Sequence, residues 1–145
     1  MKNCKKVMTR NIVFCVPNDL ASKAAMLMKS ENVGSIPVIE DEKTRKLVGI
    51  VTDRDLTLKV LAEGLDAEST RVDAVMTRKI VTCLADDSLH TALDVMAEHQ
   101  LRRLPVVTNK NKVRGMISQA DIALRYNHPK RTAAMVKRIS QSFAK

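Results

Sequence analysis

Aromatic side chains are almost missing from this sequence. Phe14, Phe143 and Tyr126 are the only ones, and tryptophan is absent. The core must therefore be aliphatic, built from Val, Ile, Leu, Met and Ala. A surface that holds nucleic acid by stacking bases on several rings does not fit this composition. Glycine is scarce as well. With four glycines in the chain, neither a G-x-x-x-x-G-K-[ST] loop nor a G-x-G-x-x-G turn is present, so any nucleotide would be held by other means. No run of about 18 apolar residues occurs, which argues against a membrane-spanning helix. The opening Met1-Lys2-Asn3-Cys4-Lys5-Lys6-Val7 lacks the apolar stretch of a secretory signal. Cys4, Cys15 and Cys83 are an odd set without metal-site spacing, and His90, His99 and His128 are scattered. The expected location is cytoplasmic and reducing. No nucleophile–base pair or metal constellation points to an enzyme.

Acidic residues are missing from both ends. Residues 2–10 carry four positive charges (Lys2, Lys5, Lys6, Arg10), and residues 122–145 carry six (Arg125, Lys130, Arg131, Lys137, Arg138, Lys145). Residues 11–121 hold 15 basic and 16 acidic residues, so the net charge of +9 comes from the ends. Anionic partners, if the chain has them, are expected to meet the termini.

What the chain does have is a repeat. Val7-Met8-Thr9-Arg10-Asn11-Ile12-Val13 returns as Val75-Met76-Thr77-Arg78-Lys79-Ile80-Val81. At the same offset Cys15 matches Cys83, Asp19 matches Asp87, Ala24 matches Ala92, Met28 matches Met96, and Pro37-Val38 matches Pro105-Val106. After a two-residue shortening, Gly49-Ile50-Val51-Thr52-Asp53-Arg54-Asp55-Leu56 aligns with Gly115-Met116-Ile117-Ser118-Gln119-Ala120-Asp121-Ile122. Each copy reads as a short extended piece (13–16; 81–84) followed by helix-start residues, Asn18-Asp19 and Asp86-Asp87-Ser88. Apolar residues then recur at helical spacing: Leu20, Ala24, Leu27, Met28 and Leu89, Ala92, Leu93, Met96. A β-branched strand, a polar turn and a second strand follow, the last running straight into a helix near Asp53 or Gln119. Gly64 is placed to end the first of these helices. The fold class is α/β (α+β): two βαββα units, each with an apolar face that needs the other, packed about a pseudo-two-fold axis. The expected organisation is 1–64 for the first copy, 65–74 for a linker, 75–127 for the second copy, and 128–145 for a basic C-terminal helix or tail.

These motifs resemble those of the CBS-domain family. The Val-Met-Thr opening, the (Ile/Leu)-Pro-Val strand start and above all Gly49–Leu56 carry the resemblance, which spans roughly residues 5–125. It implies a tandem CBS pair, a Bateman module, often a homodimer and usually regulatory. It also implies an adenosine derivative (AMP, ADP, ATP or S-adenosylmethionine) as a regulatory ligand in clefts between the copies, with no cofactor required and an unknown regulated protein as partner.

By the same resemblance, Thr52 and Asp55 of the first copy and Ser118 and Asp121 of the second contact the ribose or nearby phosphate. A carboxylate can accept hydrogen bonds from both ribose hydroxyls. The same spacing also reads as a helix capping box, and the two roles are compatible. The family's geometry would give the Asp55 cleft a wall from residues 76–81 and 102–105, and the Asp121 cleft a wall from residues 8–13 and 34–37. Arg102 and Arg103 stand where related sequences place phosphate-binding bases, and a guanidinium can fork onto phosphate oxygens. Gly34 and Ser35 occupy the corresponding place in the other cleft, so the Asp55 cleft is expected to prefer the more phosphorylated ligand. Ile12, Val13 and Ile36, with Ile80, Val81 and Leu104, are candidates to sandwich the adenine; ordinary core packing is their other role. Cys15 and Cys83 read as small buried hydrophobes, with a redox switch as the alternative. In the tail, Met135/Val136, Ile139 and Phe143 share one helical face away from the lysines and arginines. That helix either docks on its own domain or dimer partner, or offers its basic face to nucleic acid, an acidic protein or a membrane surface. A nucleic-acid-binding or protein-interaction subunit with empty clefts is the competing function.

Overall fold

The computed structural model describes residues 2–141, so the reading of Phe143 falls outside it. Along the chain the elements are α1 (Cys4–Val7), α2 (Ala21–Glu31), β1 (Ser35–Ile39), β2 (Leu47–Thr52), α3 (Asp53–Leu56) running into a π-helical turn (Thr57–Leu61), α4 (Val72–Val75), β3 (Cys83–Leu84), α5 (Leu89–His99), β4 (Arg103–Val107), β5 (Val113–Ser118), α6 (Gln119–Arg125) and α7 (Pro129–Gln141). Helix and strand are mixed as expected for the α+β class.

The strands pair by the same rule in both copies. β1 and β2 are antiparallel, with Ser35 opposite Thr52, Ile36 opposite Val51 and Pro37 opposite Ile50. β4 and β5 repeat this with Arg103 opposite Ser118, Leu104 opposite Ile117 and Pro105 opposite Met116. Each pair carries an irregularity at its equivalent step, Val38/Ile39 and Val106/Val107. β3 adds a parallel third strand to β4. Its counterpart near Cys15 is reduced to a single bridge with Val38.

Two compact units result, residues 13–80 and residues 1–12 with 81–145; they are called here the inserted and the terminal unit. They do not follow the sequence repeats, because each Val-Met-Thr segment folds onto the other copy's strand. Thr9 exchanges backbone hydrogen bonds with Met116 of β5 at 2.8 and 3.0 Å, and Thr77 does so with Ile50 of β2 at 2.7 and 2.9 Å. The stretch expected as a linker is structural: the carbonyls of Ala67 and Thr70 accept from Ser22 and Ala21 at the start of α2.

This changes one local expectation. Asn18-Asp19 do not cap α2; Leu20 is the N-cap and makes no side-chain cap bond. Asp19 instead accepts the Val16 N–H at 2.9 Å and closes the preceding turn, while the backbone at 67 and 70 satisfies the helix's orphan donors. In the other copy Ser88 caps α5 by accepting the Thr91 N–H, as its sequence suggests.

Both cores are aliphatic. The inserted unit buries Cys15, Ala24, Ile36, Val38, Val51, Val72 and Val75 among others. The terminal unit buries Val7, Leu89, Met96, Leu104, Ile117 and Ile122. Its core also takes Met135 and Ile139 of α7, so the tail helix docks its apolar face on its own unit and shows solvent its basic face. Among the described residues no helix is long and apolar enough to cross a membrane.

Candidate functional site

Two charged side chains among the described residues are buried, Asp55 at 8% exposure and Asp121 at 9%. Burying a carboxylate is costly unless its oxygens are paired, and both acids are paired in the same way. Thr52 is the N-cap of α3, where its hydroxyl accepts the Asp55 N–H at 3.0 Å while Asp55 Oδ2 accepts the Thr52 N–H at 3.0 Å. Ser118 and Asp121 form the same box at the start of α6, at 3.1 and 3.0 Å. The capping role read from the spacing is therefore present in both copies.

Further partners complete each acid. In the inserted unit the Thr77 hydroxyl lies 3.3 Å from both Asp55 oxygens, and the Lys59 ammonium lies 3.0 Å from Oδ1. Lys59 also donates to the Val75 carbonyl at 3.0 Å, at the end of α4. In the terminal unit the Thr9 hydroxyl donates to Asp121 Oδ1 at 3.0 Å. Arg125 stands 3.7 Å from the same oxygen and spends its tighter contact, 2.8 Å, on the Val7 carbonyl at the end of α1. A cation at a helix C-terminus also complements the helix dipole. Each unit thus holds one acid, one capping hydroxyl, one threonine from a Val-Met-Thr segment and one base four residues beyond the acid. A carboxylate offers about four acceptor positions. Asp55 has committed nearly all of them, whereas the cation of Asp121 stands off.

Glycine makes this approach possible. A Cβ on Gly49 would meet Met76 Sδ at 2.5 Å and the Thr77 carbonyl at 3.2 Å; on Gly115 it would meet the Thr9 carbonyl at 2.6 Å and Met8 Sδ at 2.8 Å. The bare backbone at these positions lets the Val-Met-Thr segment lie across the strand and deliver its hydroxyl to the acid.

The remaining sequence candidates divide by burial. Gly34 is drawn to the site by its carbonyl, which accepts from Asp53 at 2.9 Å, and Ser35 lies opposite Thr52 with a buried hydroxyl that has no partner. Arg102 and Arg103 are exposed in the terminal unit; the Arg102 carbonyl accepts from Gln119 at 3.0 Å, and Arg103 lies opposite Ser118. Ile12, Val13, Ile80 and Val81 are half-buried. Ile36 and Leu104 are fully buried, so their side chains serve the core, the other role read for them. Thr9 and Thr77 lie within the segments 8–13 and 76–81 that the resemblance sets beside Asp121 and Asp55, though neither was named for its hydroxyl; Lys59 and Arg125 were not singled out from the sequence. The repeated Val-Met-Thr and the bases four residues after each Asp were the available signals.

Two matched half-sites built on a tandem repeat define the class. The CBS domain family model matches residues 4–62 and 72–128, and the chain belongs to that family. Among curated proteins, it is 40% identical over 141 residues to the uncharacterized protein YlbB of Bacillus subtilis, covering 97% of this chain and 93% of that one. It is also 40% identical over 124 residues to the CBS domain-containing protein YhcV of the same organism, with 86% and 85% covered. Among solved structures, the CBS domain pair of protein MJ0100 in complex with 5'-methylthioadenosine and S-adenosyl-L-methionine superposes with a TM-score of 0.73 at 25% identity, covering 86% of this chain and 94% of that one.

Proposed function

We propose that this CBS pair is a ligand-sensing regulatory module for an adenosine-containing small molecule, with Asp55 and Asp121 as the acceptors of ribose hydroxyls. The observation that carries this reading is the pair of buried carboxylates, each hydrogen-bonded to a threonine hydroxyl at equivalent positions of the two copies, a hydroxyl partner that a ribose could replace. The adenosyl ligands of the MJ0100 pair support the ligand class. The partnerless Ser35 hydroxyl beside Thr52 supports a polar ligand at the inserted half-site. Arg102 and Arg103 would add phosphate-binding charge, and the Asp55 assignment implied by the resemblance is tested by coupling between Arg102→Ala/Arg103→Ala and Asp55→Asn. Sensing follows if the ligand binds two states of the protein with different affinity. Apolar residues exposed on the inserted unit, such as Met26 and Leu61, are surface that a regulated partner or a second copy in a homodimer would cover.

Asp55→Asn and Asp121→Asn separate binding from capping. The amide keeps one oxygen to accept the N-cap N–H but loses the charged, doubly accepting group. Each variant should stay folded and lose about tenfold or more in affinity for 5'-methylthioadenosine, S-adenosylmethionine or AMP, read by calorimetry. Wild-type protein that binds none of the three, or variants that bind them unchanged, would remove the basis for this function.

A further inference from the structure

The two copies end differently, and the difference leaves a surface open. In the terminal unit α7 packs on α5 and α6. Its Met135 and Ile139, one helical turn apart, are buried in one cluster with Leu89, Leu93 and Ile122, and Tyr126 packs against it. The repeat carries these positions into the inserted unit, where Ala21 and Ala25 of α2 stand for Leu89 and Leu93, and Leu56 and Val60 stand for Ile122 and Tyr126. There the same four positions line an open groove of about 230 Å³. Leu93 is buried, whereas Ala25 is exposed. Leu61 and Leu65 also line the groove and are 77% and 51% exposed. Where α5 offers Asp94 to Arg131 of α7 at 3.9 Å, α2 carries Met26, 71% exposed. Large apolar side chains gathered in the open mark a surface that another molecule covers.

Charge says what kind of molecule. Residues 60–70 hold Glu63, Asp66 and Glu68, all exposed, and no lysine or arginine. The Ser22 and Ala21 amides donate to the Ala67 and Thr70 carbonyls at 3.0 and 2.8 Å, which sets this acidic stretch beside the start of α2. Lys29 lies at the other end, about 12 Å further along the helix.

We propose that this groove docks a basic amphipathic helix of a partner protein, seated as α7 is seated on the terminal unit. An apolar pair at i and i+4 fills the groove, and bases on the same helix face Glu63, Asp66 and Glu68. The α7 helix of a second copy would bring the bases, but its Met135 and Ile139 are already buried. The role of this docking rests on the regulatory reading above. The docking itself needs no small ligand, so the two can fail separately.

A synthetic peptide of residues 128–145 carries such an apolar pair and such bases free of the fold, and serves as the probe. Fluorescence anisotropy with the full-length protein should show saturable binding that weakens with salt. Ala25→Gln/Leu61→Gln should lower the affinity about tenfold or more. Glu63→Gln/Glu68→Gln should lower it and flatten its salt dependence. All four side chains are exposed, so both variants should melt as wild type does. Leu124→Gln, at a site 85% exposed on the terminal unit, should bind as wild type, and a peptide with Met135→Gln/Ile139→Gln should not bind. No binding of the native peptide, unchanged binding by Ala25→Gln/Leu61→Gln, or an equal loss from Leu124→Gln would overturn the proposal. So would a dimer in sedimentation that Ala25→Gln/Leu61→Gln dissociates, since the groove would then belong to a second copy.

Discussion

At the scale of single residues, buried titratable groups set how this protein responds to pH. Cys15 shows the sign clearly. Burial comes first among the causes that lift its thiol from 9.0 to about 11, with the Asp19 carboxylate adding to it. Below pH 9 the thiol keeps its proton in both folded and unfolded chains, and the folded state is not penalised. Between pH 9 and 11 the unfolded chain loses that proton while the folded chain retains it. Stability therefore falls as pH rises, by at most about 1.4 kcal/mol per unit and about 3 kcal/mol in all. Urea unfolding of wild type and Cys15→Ala across this range should give curves that converge towards pH 11. Parallel curves would mean that the thiol titrates alike in both states. The comparison must use slopes, because Cys15→Ala also removes packing at every pH.

At the scale of elements, the strand glycines and the Val-Met-Thr segments are one device. Gly115→Ala would drive a Cβ to 2.6 Å from a backbone carbonyl that is itself fixed by the Thr9–Met116 bonds. Gly49→Ala would meet chiefly the thioether of Met76, which can swing aside, and a carbonyl at 3.2 Å. Gly115→Ala should cost about 2–3 kcal/mol in urea unfolding, within the range of overpacking, and Gly49→Ala about half that. Equal costs would show that the terminal segment shifts as freely as a side chain. The same device marks where the sequence was readable. Thr52-x-x-Asp55 and Ser118-x-x-Asp121 are local, so spacing alone revealed their capping boxes. The strand pairs were readable for the same reason: Ile36–Ile39 and Leu47–Thr52 are β-branched runs around a polar turn. Thr9 and Thr77 reach their acids across 112 and 22 residues of chain; no local pattern states which copy's strand receives which segment, and only the family resemblance set residues 8–13 beside Asp121 and 76–81 beside Asp55. The entry to α2 misled for a related reason. Asn18-Asp19 look like a cap, yet carbonyls some fifty residues away satisfy the first turn, leaving Asp19 to the turn before it.

At the scale of the molecule, the fold sorts charge more sharply than the sequence ends suggest. The inserted unit holds 10 basic and 11 acidic residues, a net of −1, and the terminal unit holds 15 and 5, a net of +10. Both basic termini belong to one unit, and Lys2 reaches the Arg125 carbonyl at 2.6 Å. Helix α7 contributes Lys130, Arg131, Lys137 and Arg138, all exposed, while Met135 and Ile139 hold it against α5. With Met135 and Ile139 buried and Val136, read with them from the sequence, left 38% exposed, this helix presents mainly charge, which suits a polyanion better than the interior of a bilayer. Deleting 129–145 would be a poor test, since removing two fully buried side chains costs about 3–6 kcal/mol and would confuse lost binding with lost folding. Replacing the four α7 bases by Gln leaves Met135 and Ile139 in place. That variant should elute from heparin at lower salt than wild type, with a shallower dependence of log affinity on log salt. A matched set on the inserted unit, Lys23, Lys29, Lys43 and Lys46 to Gln, should change elution much less if the charge that matters resides in the terminal unit. Equal shifts from the two sets would mean that only net charge is felt, and the basic unit would lose its claim to a distinct anionic partner.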